Sequence, residues 1–123
     1  KAIFGAGSDL QIYHDALNSR IQDVGTGNLK IQGTNVTIEN SNSSELMIGA
    51  TDGGAVSLSY AGSTKLATTS GGVAVTGEVD FGAWTVVESG GVLYFKHSGT
   101  NKMKLDSSGN LTVTGNVTAY GTV

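Results

Sequence analysis

Cysteine and proline are absent from this 123-residue chain, and charged side chains make up only 14% of it. Without cysteine there can be no disulfide framework and no thiolate-held metal, and the redox compartment is left open. Seven basic residues against ten acidic ones give a net charge of −3, which denies the chain the basic face that nucleic acid binding requires. No run approaches the ~18 apolar residues of a membrane-spanning helix. The opening Lys1-Ala2-Ile3-Phe4-Gly5 lacks the apolar stretch of a signal peptide and reads as the middle of a longer protein. Large apolar residues are scarce as well. Leu, Ile, Val and Phe number 30 of 123, little above the level at which chains fail to fold for want of burial.

What is present is glycine, at 19 positions, together with Ser, Thr and Asn. No stretch carries the i, i+3, i+4 apolar stripe of a helix. Short alternating segments predict strands instead: Leu10-Gln11-Ile12, Leu29-Lys30-Ile31, Val36-Thr37-Ile38, Val56 to Tyr60, Val73-Ala74-Val75 and Leu111-Thr112-Val113. Turn clusters separate them, at Gly25-Thr26-Gly27-Asn28, Asp52-Gly53-Gly54, Ser70-Gly71-Gly72 and Ser107 to Asn110. The fold class expected is all-β, with a core too thin to close within one chain. Further copies of the same chain are the simplest covering.

Internal repetition sharpens this. A basic residue precedes an apolar one at Arg20-Ile21, Lys65-Leu66 and Lys102-Met103. A polar turn follows, and each segment closes with an alternating strand ending in Gly33, Gly77 or Gly115. Upstream, Leu10 to His14 aligns with Leu93 to His97, and Val36, Val79 and Val117 follow the closing glycines. The uneven spacing, and the lack of capping segments over edge strands, favour chains wrapped about a common axis over a monomeric solenoid. The expected organisation is a repetitive shaft over 1–76, an aromatic-rich knob over 77–99 and a terminal repeat with C-terminal strands over 100–123.

Few residues suggest chemistry. Glu78 and Asp80 would share one strand face, as a glycosidase acid pair requires, but they read better as solvated charges. His14 and His97 occupy equivalent repeat positions and are weak metal candidates through an axis shared by several chains. Gly5-Ala6-Gly7 opens no helix, so it is no dinucleotide loop, and Gly5-Ala6-Gly7-Ser8 is no nucleophile elbow. The Asn-x-Ser/Thr triplets at Asn35, Asn42, Asn110 and Asn116 are what an Asn- and Thr-rich chain produces by chance. No catalytic, cofactor-binding or firm metal residues are assigned. Phe81, Trp84, Tyr94 and Phe95 gather half of the chain's eight aromatics. They read as the core of the knob, or as a stacking surface in which Trp84 and Tyr94 would touch a receptor glycan.

Four strings carry a family resemblance: Gly7 to Asp15, Asp52 to Leu58, Lys65 to Gly77 and Lys102 to Gly115. Together, in this order, they make the chain from about Gly7 to Val123 resemble the tail-fibre proteins of marine bacteriophages, including cyanophages. The resemblance implies an elongated, intertwined homotrimeric β-fibre, akin to a triple-stranded β-helix or β-prism. Its partners would be two further copies, other tail or baseplate proteins and a host surface glycan or protein, with no nucleic acid and no membrane insertion. Its location would be the virion, outside the cell. The resemblance also implies that a self-cleaving intramolecular chaperone domain follows, making Val123 the mature C-terminus. A tailspike-type glycan depolymerase and a bacterial surface adhesin segment are the alternatives.

Overall fold

The computed structural model describes residues 1–118. Val123, the expected processed terminus, lies outside the described residues. The described chain is all-β, without a helix, and its thirteen strands form three antiparallel sheets. It divides into two units, 1–34 and the remainder from Asn35 onward.

The first unit holds β1 (Ala2–Phe4), β2 (Leu10–His14) and β3 (Ser19–Asp23) in the order β1-β2-β3. The second holds two five-stranded meanders. One runs β4 (Asn35–Glu39), β5 (Leu46–Thr51), β6 (Val56–Tyr60), β7 (Ser63–Thr69) and β8 (Gly72–Val75). The other runs β9 (Glu78–Phe81), β10 (Trp84–Ser89), β11 (Val92–His97), β12 (Thr100–Leu105) and β13 (Leu111–Val113). In every sheet each strand pairs only with its neighbours in sequence. The segment 77–99 therefore supplies β9 to β11 of a sheet that β12 and β13 complete.

Turn chemistry sets this topology. Ser89 pairs with Val92 and His97 with Thr100, leaving two-residue loops at Gly90-Gly91 and Ser98-Gly99. All four loop residues have positive φ, between 48° and 80°, as a type I′ hairpin demands. Such tight turns return each strand onto its predecessor and leave no length for a crossover.

The alternating segments at Leu10, Val36, Val56, Val73 and Leu111 all lie in strands, but Leu29-Lys30-Ile31 does not. It has the alternation of a strand and no partner. Its counterpart in the third repeat does pair, on a turn built by a carboxylate. Arg20 to Gly33 aligns with Lys102 to Gly115 without a gap, with four of fourteen residues identical, and the later copy folds into the β12–β13 hairpin. There the Asp106 carboxylate accepts the N–H groups of Ser108 (3.0 Å) and Asn110 (2.9 Å) and the Asn110 side-chain amide (3.0 Å). Gly109 takes φ +83°. In the first copy Val24 stands where Asp106 stands and has no carboxylate to offer. Its N–H donates instead to the Asp9 carbonyl at 2.7 Å, and Gly27 does not take the positive φ of Gly109. The chain leaves β3 without turning back.

The expected knob core does not form. No large apolar side chain is buried among the described residues, and Gly49 is the one residue that is. A Cβ on Gly49 would sit 3.1 Å from both Leu46 Cδ2 and Ser57 Oγ, a tight fit that those side chains would have to yield to. Phe81 is 67% exposed and Trp84 47%, because among the described residues of its unit no other element packs substantially on their sheet. Every substantial strand–strand contact is with a hairpin neighbour in the same sheet.

Candidate interaction surfaces

Cross-strand register assigns each side chain to a face, since paired residues point to the same side and neighbours along a strand to opposite sides. In the β4–β8 sheet the pairing links Ile38, Ile48, Leu58, Leu66 and Val75 into one row crossing all five strands. The reverse face carries Thr37, Gly49, Ser57, Ala67 and Ala74 in the adjacent row. In the β9–β13 sheet the corresponding row is Val79, Val86, Phe95, Met103 and Val113. Leu93 with Leu105 and Leu111 extends that apolar face on one side, in a row that Glu88 ends, and Trp84 with Phe81 extends it on the other. Its reverse holds Asp80, Thr85 and Lys96 in one row and Glu78, Val87, Tyr94, Lys104 and Thr112 in another. In the β1–β3 sheet, Phe4, Leu10, Ile12 and Ile21 lie on one side.

Three sheets thus each present an apolar face left uncovered among the described residues. Among the described residues the edges are open as well: β1, β3, β4, β8, β9 and β13 each end a sheet.

The candidate receptor residues are separated by the pleat. Trp84 belongs to the apolar face and stacks against His97, ring centroids 5.0 Å apart and tilted by 57°. Tyr94 belongs to the opposite, polar face, with the Lys96 ammonium 5.9 Å from its ring centroid. Tyr94, Asn101, Met103, Lys104, Thr112 and Thr114 line an open concavity of about 270 Å³. A second concavity, about 340 Å³, is lined by Gly53, Gly54, Ala55, Thr68, Thr69 and Ser70 and holds no ionisable group.

His14 and His97 do end equivalent strands, β2 and β11, on the apolar side of each sheet. The imidazole of His14 lies 3.3 Å from the Ser19 hydroxyl, and His97 rests on Trp84. Among the described residues no three potential metal ligands come together. Glu78 and Asp80 share a face as the alternation requires, but Asp80 accepts the Gly82 N–H at 2.7 Å and so builds its own turn.

The acids with displaced titration are turn builders too. N–H donation from Asn18 and Leu17, with the Arg20 guanidinium paired to the same carboxyl, holds Asp15 below its usual range. For Asp106 the lowering comes first from the Asn110 side-chain amide, then from the Asn110 and Ser108 N–H groups and the charge of Lys104. Both keep the ionised form because they close loops; neither faces a cleft.

No protein-family model, curated protein or solved structure matches this chain.

Proposed function

We propose that the chain is a structural, non-enzymatic segment of a bacteriophage tail fibre, assembled as an intertwined homotrimer and contributing to attachment at the host surface. The observation that carries this reading is the set of uncovered apolar sheet faces, above all the rows through Leu58 and Phe95. A chain whose described residues include no buried large apolar side chain gains stability by association. Three single-layer sheets, one from each copy, can close with their apolar sides inward into a prism that leaves the polar sides outward. A two-chain sandwich would cover the same rows, and the resemblance of the four strings to tail fibres is what favours three.

In such a fibre the residues left for a receptor are those of the polar face. Tyr94, Lys96, Lys104 and Thr112 stay outside, while Trp84 turns inward with the apolar row. Repetition of one weak contact on three identical faces, and on several fibres, supplies avidity without a deep pocket. Nothing favours the depolymerase reading, since Asp80 of the candidate pair is engaged in its turn.

Antibody raised against the 123-residue chain and applied to particles of the virus that encodes it tests the assignment. Labelling of tail-associated fibres in electron micrographs, with loss of adsorption to host cells, is the expected result. Labelling of the capsid alone, or of no particle, would refute it.

A further inference from the structure

The unpaired segment Asn28 to Gln32 and the bare outer edge of β3 are complementary, and the third repeat gives their register. In that repeat Met103 stands opposite Val113, and the Thr114 N–H donates to the Lys102 carbonyl at 3.0 Å. Carried across the gap-free correspondence, Ile21 would face Ile31, Asp23 would face Leu29, and Gln32 would bond to Arg20. In this chain those partners stay apart. Ile21 is 62% exposed and Ile31 68%, and the backbone of 28–32 joins no ladder.

A chain cannot easily complete this pairing with itself. The third repeat builds the returning turn on the Asp106 carboxylate, whereas valine stands at the matching position 24 and its N–H is already tied to the Asp9 carbonyl. A neighbouring copy has no such obstacle. We propose that Asn28 to Gln32 of one protomer adds as an antiparallel strand to the β3 edge of the next, each copy giving one strand and receiving one. The exchange rests on the trimer reading and specifies where the chains intertwine. Around a closed ring every copy of the segment finds a β3 edge, and no β3 edge stays open to further growth. The added strand places Leu29 and Ile31 beside the exposed Ile21, so backbone pairing and apolar burial favour the same register.

The natural absence of cysteine makes a disulfide test clean. The Met103–Val113 position is a non-hydrogen-bonded pair, flanked by the Lys102–Thr114 bond, and such pairs hold Cα atoms ~4.5 Å apart, within disulfide reach. The full chain carrying Ile21→Cys and Ile31→Cys is assembled, sized by light scattering, oxidised, and run on a denaturing gel without reductant. The exchange predicts a trimer in which most of the protein migrates as covalently linked chains that reduction returns to single chains. The Met103→Cys/Val113→Cys variant should instead link within each chain. A trimer in which the disulfide between positions 21 and 31 closes inside one chain, or does not form, overturns the exchange and leaves the trimer standing. A monomer from the unaltered chain overturns both. Should the cysteines prevent assembly, Asp23→Cys with Leu29→Cys probes the next such pair. The unaltered trimer, reconstituted from differently isotope-labelled chains, must also give Ile21–Ile31 magnetisation transfer between chains if the exchange holds, and none if it does not.

Discussion

Asp106 and Val24 occupy the same place in two copies of one repeat, and of these two copies the one with the carboxylate closes its hairpin. The carboxylate of Asp106 gathers three donors from Ser108 and Asn110, so its ionised form is favoured in the folded chain. Its titration is accordingly lowered from the ordinary 3.8. A depressed carboxyl contributes stability above its unfolded value, and that contribution disappears as pH falls through the folded value. Asp106→Ala is therefore expected to speed amide hydrogen exchange at Thr112 and Thr114, whose N–H groups face β12, at neutral pH, with the difference from the unaltered chain fading below pH 3.8. Equal exchange in both proteins at neutral pH would count against the loop's role. Trp84 supports a second test, because it is the only tryptophan. On an inward apolar face its emission should shift to the blue on assembly and resist quenching by iodide. A solvent-like spectrum in the assembled protein would put Trp84 outside and restore it as a receptor contact.

At the level of strands, alternation in the sequence marks β2, β4, β6, β8 and β13, while β10, β11 and β12, joined by the tightest turns, are not among the segments it marks. Val56 to Tyr60 and Leu111 to Val113 fill β6 and β13 from end to end. Leu29 to Ile31 has an equally clean pattern and no partner, since alternation reports amphipathicity and says nothing of who supplies the neighbouring ladder. β5 was hidden for a different reason. Its pairing is irregular between Ile38 and Glu39, and Gly49 interrupts its apolar order. The candidate site was legible only in part. The aromatic cluster stood out by composition, but which side of the sheet each ring takes depends on the register. Phe95 and Lys96 state the consequence most sharply, as neighbours on opposite faces. Phe95→Glu places a charge in the inward row and should cost about 3 kcal/mol per chain or more, enough to abolish assembly. Lys96→Glu should leave the assembled mass unchanged. Sedimentation of the two variants side by side separates them; similar behaviour would mean that the faces have been assigned wrongly.

The whole chain presents three open sheets, six bare edges and no buried large apolar residue among the described residues. A single copy in water would expose surfaces that folded proteins ordinarily hide. Association is thus the central claim, and host attachment and strand exchange both depend on it. The most direct measurement is the mass of the folded 123-residue chain in solution by light scattering. The account predicts three times the 12.5 kDa of one chain, independent of dilution over the accessible range. A folded species of 12.5 kDa, with the β-sheet signature intact, would contradict it.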